Sequence, residues 1–191
     1  MARQVKVITA AEAAALIKNG DTVTTSGFVA SAIPEALDRA VEERFLATGE
    51  PRDITYVYCG SQGNKDGRGA EHFAHEGLLK RYIAGHWATV PALQKMALEN
   101  KMEAYNVSQG ALCHLFRDIA AHRPGCFTKV GLGTFIDPRN GGGKVNDVTK
   151  EDIIELVNIK GQDYLFYPAF PINVALIRGI YADESGNISF E

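Results

Sequence analysis

The stretch "TTSGFVASAIPEALDRA", residues 24–40, decides the fold class. It runs from β-branched residues through a glycine and several small residues to Pro34, which opens a charged amphipathic segment. β-Branched residues favour strands, and proline suits the first turn of a helix. The stretch therefore predicts a strand, a tight turn and a helix.

The turn at Gly27 raises the question of a phosphate-binding loop. A dinucleotide fingerprint needs glycines spaced as G-x-G-x-x-G, and a Walker loop needs G-K-[ST]. Gly27 stands alone, Phe28 follows it, and no lysine lies within the turn. These residues predict a glycine that a tight turn requires. A ligand site stays open as the alternative, because open α/β sheets bind ligands where strands end and helices begin.

Composition limits the classes of partner. The chain has 191 residues, of which 46% are hydrophobic, which is enough for one domain with a substantial core. A net charge of -3, with both signs interspersed, gives no electrostatic footprint for nucleic acid or an anionic membrane. No apolar run approaches the ~20 residues that span a bilayer, and "MARQVKVITA" lacks the apolar core of a signal peptide. We expect a cytoplasmic protein that binds neither nucleic acid nor membrane.

The cysteines predict no disulfide framework and no metal site. Cys59, Cys113 and Cys126 are odd in number, lie far apart and form no C-x-x-C pair. His72 and His75 share a predicted helix face, yet no third ligand stands at a matching spacing, so structural roles are expected for both. The neighbouring acids Glu71 and Glu76 are expected to be solvated helix carboxylates.

Strand-like and helix-like segments alternate along the chain. The predicted helices are "TAAEAAALIKNG" with a Thr9–Glu12 capping box, "EALDRAVEERFL", a segment from about Glu71 to Lys80, "PALQKMALEN", a segment from near Gln109, and one opened by "TKED". The predicted strands are "DTVTTSGF", "DITYVYCG", "RYIAGHW", "MEAYNV", "DYLFY", "NVALIRGIYA" and "NISFE", and "GLGTF" is expected at a strand end. This alternation predicts an α/β fold in which helices flank a mixed, largely parallel sheet. A single domain over residues 1–191 is expected.

The last segment, "YADESGNISFE", predicts a strand, a turn and a second strand that stops at Glu191. Such a strand leaves an edge that needs a partner, so the chain looks interrupted or dependent on another polypeptide. A natural edge strand is the alternative. Glu184 falls in the predicted exposed turn beside Asp183, which suits a surface carboxylate better than a nucleophile.

Several separated motifs carry a resemblance. "DTVTTSGFVASAIPEAL" resembles the amino-terminal signature of the family I coenzyme A transferases, except that Ser26 stands where most of that family has glycine. "YVYCGSQGNKDGRGAEHFAHEGLLKRYIAGHW", "AYNVSQG", "GTFIDPRNGGGKVNDVTKED" and "YADESGNISFE" extend the resemblance, from about Val5 to Glu191, to the amino-terminal half of the propionate (short-chain acyl) CoA-transferases.

The resemblance implies a fold like that of CoA-transferases and sugar-phosphate isomerases, and half of an enzyme. Family members move CoA between a thioester and a free carboxylate through a glutamyl-CoA thioester. Their nucleophilic glutamate lies in the carboxyl-terminal half, which this chain lacks. The implied partners are that half or a beta subunit, together with a short-chain acyl-CoA and a carboxylic acid. Coenzyme A is implied as a substrate, with no tightly bound cofactor, and the complete enzyme is implied to be a homo-oligomer.

Gln109, in "VSQGAL", matches the oxyanion-hole glutamine of the family. From the residues alone, a glutamine at this position is a helix-start residue whose amide satisfies backbone groups. The resemblance implies instead that its amide N–H groups stabilise an oxyanion on the acyl carbon. The expected substrate-binding residues are Ser26, Gly27, Phe28, Gly60, Ser61, Gly133 and Thr134.

Other interpretations stay open. The loop "GSQGNKDGRG" is either a ligand loop or a solvated turn, and "GGGK" is either a phosphate nest or a flexible hairpin tip. His86 and Trp87 are expected to fill the core or the interface with the missing half. A stand-alone isomerase would need a phosphate site and an internal acid or base pair, which the sequence does not show. A non-catalytic assembly module and a thioesterase are the remaining alternatives.

Overall fold

The computed structural model describes residues 5–190. The helices are α1 (Ala10–Ala14), α2 (Glu35–Thr48), α3 (Pro91–Leu98) and α4 (Gln109–Ala120), with short 3-10 turns at Ala70–Phe73 and Pro138–Asn140. The strands are β1 (Thr22–Thr25), β2 (Ile54–Tyr58), β3 (Leu79–Ala84), β4 (Glu103–Asn106), β5 (Gly125–Thr128), β6 (Glu155–Ile159), β7 (Gln162–Pro168), β8 (Val174–Leu176), β9 (Tyr181–Ala182) and β10 (Ile188–Ser189).

A five-stranded parallel sheet organises the fold, in the order β4-β3-β2-β1-β8. A separate antiparallel sheet has the order β5-β7-β6, and β9 pairs with β10 as a hairpin. The predicted α/β class, with a mixed and largely parallel set of strands flanked by helices, is confirmed. Among residues 5–190, no helix combines the length and hydropathy needed to cross a bilayer.

Alternation along the strands creates a core on each face of the parallel sheet. Tyr56 and Tyr82 point to one face, where α1, α2 and α3 supply buried apolar side chains. Val57 and Ile83 point to the other, which is covered by α4 and by β5 and β7 of the antiparallel sheet. Because both faces are covered, β2 and β8 contain no charged residue, as expected for a buried parallel sheet. β3 and β4 depart from this pattern, since they contain Lys80, Arg81 and Glu103.

Local sequence signals explain where several helices begin. Thr9 and Glu12 form the predicted capping box at α1, although α1 ends at Ala14. Pro34 immediately precedes α2. Ser108 caps α4 by accepting a hydrogen bond from the backbone N–H of Ala111, so α4 begins at Gln109 as predicted.

The helix predicted from about Glu71 to Lys80 is wrong. A single 3-10 turn ends at Phe73, and Gly77 adopts a φ of 90°, which ends any helical path before β3. Glu71 is also not a solvated carboxylate, since it is only 8% exposed. It accepts hydrogen bonds from the backbone N–H groups of Gly67 (3.1 Å) and Ala92 (2.8 Å). The residues have helical spacing, but the left-handed conformation of Gly77 and the hydrogen bonds of Glu71 to distant backbone groups prevent a helix here.

The segment "VGLGTF", with "GLGTF" expected at a strand end, follows β5 and is not itself a strand, because residues 130–135 form turns. Gly131 and Gly133 have φ values of 100° and 74°, which a strand does not accommodate. The buried carboxylate of Asp137 holds this turn by accepting hydrogen bonds from the backbone N–H of Gly133 (2.8 Å) and from Arg139 Nε (2.9 Å). Those hydrogen bonds keep the pKa of Asp137 well below its usual range.

The helix predicted at "TKED" is also wrong. Thr149 does not cap a helix, since its hydroxyl accepts a hydrogen bond from the backbone N–H of Ala104 at 2.7 Å, beside β4. The chain then runs without a helix into β6. The predicted carboxyl-terminal strand, turn and strand are present as β9 and β10, with Glu184 exposed between them. Glu191 lies outside the described residues.

A cluster of acids and histidines fastens α2 to the 3-10 turn that precedes β3. His72 is 8% exposed, and its ring nitrogens contact Glu42 Oε2 (2.6 Å) and Glu35 Oε1 (3.0 Å). His75 Nε2 contacts Glu42 Oε1 at 2.6 Å. Two carboxylate partners require His72 to donate from both nitrogens, which only the imidazolium form can do. Both histidines therefore have the structural role expected for them, since they connect α2 to the 3-10 turn through carboxylate partners.

The pKa values of the cluster follow from burial and from these partners. Burial alone would lower the pKa of His72, but the hydrogen bonds and charges of Glu35 and Glu42 outweigh it and raise that pKa. Asp38, on the same helix, is fully buried, and neither carboxylate oxygen has a hydrogen-bond partner within residues 5–190. Burial raises the pKa of Asp38 to about 8, so its carboxyl is largely neutral at pH 7.

We predict that this cluster stabilises the fold in a pH-dependent way. Because the pKa of His72 is higher in the folded than in the unfolded chain, its contribution is complete below the unfolded-state pKa of about 6.5 and is lost as pH rises through the folded-state pKa. His72→Gln should therefore lower the free energy of unfolding more at about pH 6 than at about pH 9, measured by urea denaturation. The exposed His114→Gln on α4 is the control, and an equal loss for His72→Gln at both pH values would contradict the prediction.

Candidate functional site

The carboxyl ends of the parallel strands meet at one edge of the sheet, where open α/β sheets commonly bind ligands. β1 leads into Ser26, β2 into Cys59 and β4 into Val107, so the loops that follow these strands lie side by side. Six of the eight predicted site residues belong to these loops or to the first turn of α4: Ser26, Gly27, Phe28, Gly60, Ser61 and Gln109.

Gly60 brings two of these residues together. A Cβ atom built on Gly60 would lie 3.4 Å from Gln109 Cδ and 3.5 Å from Phe28 Cε2. The Gln109 amide and the Phe28 ring therefore flank the same stretch of backbone. Gln109 and Phe28 are both exposed, so the two side chains form an accessible surface at the sheet edge.

Gly85, directly after β3, sets how closely α4 approaches the sheet. A Cβ atom at Gly85 would overlap the carbonyl oxygen of Cys59 and would lie only 2.7 Å from Gln109 Cα. Side-chain carbons do not approach other atoms this closely, so only glycine fits this position. Sequence reasoning missed Gly85, although a glycine directly after the strand-like run "RYIA" was an available signal.

Gln62 joins the loops that follow β1 and β2, and it too was missed. It is fully buried, and its Oε1 accepts hydrogen bonds from Thr25 Oγ1 (2.7 Å) and Tyr56 (2.7 Å). Its Nε2 donates to the carbonyl oxygen of Ser26. A buried amide whose oxygen and nitrogen both form hydrogen bonds rigidifies the segments that it connects. The beginning of "GSQGNKDGRG" is thus part of the packed sheet edge, whereas residues 65–68 are exposed.

The remaining candidate site residues after β1 and β2 are each fixed by a contact within the fold. Ser26 Oγ accepts a hydrogen bond from the backbone N–H of Arg178 at 2.8 Å, which ties the end of β1 to the segment after β8. Gly27 has a φ of 113°, and a Cβ there would lie 2.8 Å from the carbonyl oxygen of Ser31, so the turn requires glycine. Ser61 is buried, and its hydroxyl contacts that of Thr89.

Gly133 and Thr134 lie in the turn organised by Asp137. The Thr134 hydroxyl donates to the carbonyl oxygen of Gly131 at 2.8 Å, within its own turn. The same segment reaches β4 through Gly143, whose carbonyl oxygen accepts the backbone N–H of Asn106 at 2.8 Å. The "GGGK" loop is therefore fastened to the end of β4, and the structure does not bring Gly133 or Thr134 into the contacts of Gly60 with Gln109 and Phe28.

The groups nearest to Gly60 are uncharged at neutral pH. Burial, followed by the neighbouring Cys113 thiol, raises the pKa of Cys59 to about 12, so Cys59 stays a protonated thiol and a weak nucleophile. Burial likewise raises the pKa of Tyr58 to about 12. Such surroundings can polarise a carbonyl oxygen through the Gln109 amide, but these groups supply neither a carboxylate nor a thiolate for covalent chemistry.

Metal chemistry has no visible ligand set in the described part of the chain. Within residues 5–190, no group of three or more histidine, cysteine or acidic side chains is arranged to hold a metal ion. His86, which follows Gly85, is exposed and does not fill the core. Trp87 is half-buried; its Nε1 donates to the carbonyl oxygen of Tyr105 at 3.3 Å while its ring packs on the core.

Comparison with known proteins identifies relatives of this chain. Residues 7–191 match the family model "Coenzyme A transferase". Caffeate CoA-transferase of Acetobacterium woodii is 43% identical over 186 residues, which cover 97% of this chain and 36% of that protein. Acetate CoA-transferase YdiF of Escherichia coli K12 is 38% identical over 190 residues, covering 98% of this chain and 36% of that protein.

Solved structures give the same picture. The YdiF apoenzyme from Escherichia coli O157:H7 superimposes with a TM-score of 0.93 at 37% identity, covering 98% of this chain and 37% of that one. The same protein has also been solved as a thioester complex with CoA, with a TM-score of 0.88. This chain therefore spans little more than a third of the length of these relatives.

We predict that Gly85 is irreplaceable. Gly85→Ala should lower the free energy of unfolding by about 2 kcal/mol, because the added methyl group collides with backbone atoms of Cys59 and Gln109. Gly110→Ala is the matched control, because Gly110 follows Gln109 in α4 and a Cβ atom there would have no other atom within 4 Å. Since alanine is more favourable than glycine in a helix by ~1 kcal/mol, this variant should not lose stability. Urea denaturation of both variants measures the difference, and equal stability would contradict the close approach.

Proposed function

The chain belongs to the coenzyme A transferase family, and from that premise we propose that it forms the amino-terminal half of an enzyme that transfers CoA between a short-chain acyl-CoA and a free carboxylate. The observation that carries this proposal is the approach of the Gln109 side chain and the Phe28 ring to the same side of Gly60 at the sheet edge. An exposed amide donor beside an exposed aromatic ring suits a thioester carbonyl that carries a small apolar acyl group.

Gln109 is proposed as the oxyanion donor. Attack on a thioester carbonyl pushes an electron pair onto the carbonyl oxygen, and a fixed N–H donor stabilises the charge that develops there. Gln109 is the first residue of α4, where the neighbouring backbone N–H groups add positive potential. Ser26, Gly27, Phe28, Gly60 and Ser61 are proposed to line the substrate, with Gly133 and Thr134 as a more distant part of its wall.

The nucleophile is proposed to lie outside this chain. Its glutamate carboxylate would attack the acyl-CoA carbonyl and expel CoA thiolate, leaving an acyl-glutamyl anhydride. The thiolate would then attack the glutamyl carbonyl, which releases the free carboxylic acid anion and leaves a glutamyl-CoA thioester. Within this chain, Glu71 is committed to two backbone N–H groups and Glu184 sits in an exposed hairpin turn. Neither carboxylate suits that role.

The missing half is proposed to be either the rest of the same polypeptide or a separate polypeptide. The alpha subunit of the acetoacetyl-CoA:acetate/butyrate CoA transferase of Clostridium acetobutylicum, 26% identical over 97% of this chain, supports the second arrangement, since this chain covers 76% of it. Propionate, acetate or lactate is the proposed class of carboxylate, and coenzyme A enters as a substrate. The free thiols Cys59, Cys113 and Cys126 fit a reducing, cytoplasmic compartment.

Acetyl transfer from acetyl-CoA to propionate tests the proposal. The assay uses this chain alone and this chain with a complementing half, defined as the part of the Acetobacterium woodii enzyme that this chain does not match. Activity in the mixture alone supports a shared site. Activity of this chain alone would contradict an external nucleophile, and it would favour a stand-alone enzyme in which Glu184 and Glu71 are the first residues to change.

We predict that Gln109→Ala lowers kcat of the assembled enzyme by about 10²-fold without changing the thermal midpoint of the chain. Gln109→Glu is the matched variant, because it keeps the shape of the side chain and replaces the amide donors with acceptor oxygens. It should lose activity as severely. Steady-state kinetics at saturating acetyl-CoA measures the effect, and full activity of either variant would remove Gln109 from the reaction.

A further inference from the structure

A strained turn follows β1 at the candidate site. Phe28 and Ser31 exchange two backbone hydrogen bonds of 2.9 Å, so Val29 and Ala30 form the tip of a tight turn. Val29 has a φ of 54°, in the left-handed region. Of the non-glycine residues with positive φ in residues 5–190, Val29 is the β-branched one. Such a residue is a conformational outlier there, because its branched Cβ crowds the backbone.

The neighbouring loop imposes this conformation. The backbone N–H of Val29 donates to the carbonyl oxygen of Ser61 at 3.0 Å, and the N–H of Gly63 donates to the carbonyl oxygen of Val29 at 2.9 Å. Gln62, between them, is anchored to the end of β1 by its buried amide. The loop after β2 therefore holds Val29 in place on both sides, directly beside Gly60.

A glycine would satisfy this backbone without strain, so the valine side chain needs another explanation. Its packing does not supply one, since Val29 is 38% exposed and Phe28 is 57% exposed. Val29 adjoins Phe28 in the chain, and its backbone is hydrogen-bonded to Ser61, the residue after Gly60, so this exposed valine lies beside the loop that carries the candidate site. Strain that the fold tolerates without a gain in packing marks a functional position.

We propose that Val29 is a specificity-determining residue, whose side chain contacts the acyl group of the thioester and limits the chain length that the site accepts. This inference rests on the proposed CoA transfer and adds a residue to it. Phe28 approaches Gly60 together with Gln109, and Val29 is fixed to Ser61 by its backbone N–H, so the two consecutive apolar residues are tied to the same loop segment as the Gln109 amide.

Two substitutions separate the strain from the side chain. Val29→Gly removes both, whereas Val29→Ile keeps a β-branched residue in the same conformation and adds one methylene. Val148→Gly is the matched control, because Val148 is 41% exposed and does not have a positive φ. The thermal midpoint of the 191-residue chain should rise for Val29→Gly and fall for Val148→Gly.

The decisive measurement is the ratio of kcat/KM for butyryl-CoA to that for acetyl-CoA, with propionate as acceptor and the complementing half present. Val29→Ile should lower the ratio about tenfold, since one methylene in an apolar pocket gives discrimination of this order, and Val29→Gly, which removes the whole side chain, should raise the ratio by about tenfold or more. Val148→Gly should leave it unchanged. A purely structural role for Val29 would change stability without changing this ratio.

The outcomes distinguish this inference from the proposed function. An active wild-type mixture with the same ratio for all variants would overturn the role of Val29 alone. A fall in thermal midpoint for Val29→Gly equal to that of Val148→Gly would overturn the strained side chain on which the inference depends. An inactive wild-type mixture would overturn the proposed function, and the inference would fall with it.

Discussion

The close approach of α4 to the carboxyl edge of the parallel sheet is the constraint on which the candidate site depends. Gly85 permits it, because no side chain fits between the Cys59 carbonyl and Gln109 Cα. The Gln109 side chain and the Phe28 ring then both approach the position that a Cβ atom of Gly60 would occupy, at 3.4 and 3.5 Å. The candidate site thus depends on the absence of a side chain at both Gly85 and Gly60. A helix packed at an ordinary distance from the strands would leave the Gln109 amide and the aromatic ring apart.

A second level of order comes from side-chain hydrogen bonds that connect the segments after the strands. Gln62 connects the ends of β1 and β2, while Ser26 connects β1 to the segment after β8. Leaving the buried Gln62 amide unpaired would cost more free energy of folding than its hydrogen bonds contribute to stability. These hydrogen bonds therefore specify one arrangement of the loops more than they stabilise the fold. This arrangement explains how the turn at Val29 persists with a backbone conformation that its own sequence disfavours.

The sequence predicted those parts of the fold that local signals determine. β-Branched runs and a helix-opening proline located β1 and α2, whereas the capping role of Ser108 at α4 was not predicted. Six of the eight candidate site residues follow the parallel strands or begin α4, so they lie at one edge of the sheet. The failures have tertiary causes. Glu71 and Thr149 both lie in segments with helix-like local sequence. However, Glu71 accepts a hydrogen bond from the backbone N–H of Ala92, and Thr149 accepts one from that of Ala104, so both side chains bind distant backbone instead. Gln62 and Val29 were missed because their roles arise only when two loops pair.

The electrostatics of the sheet edge argue for a site completed by another part of the enzyme. The groups around Gly60 are an amide, an aromatic ring and a thiol that burial keeps protonated. A neutral wall of this kind favours a developing oxyanion over a resident anion, because a fixed carboxylate beside Gln109 would occupy the same donors that the transition state needs. Covalent transfer nevertheless requires a carboxylate on the opposite side of the thioester carbonyl. The proposed division of donor and nucleophile between two halves would supply both groups without neutralising either.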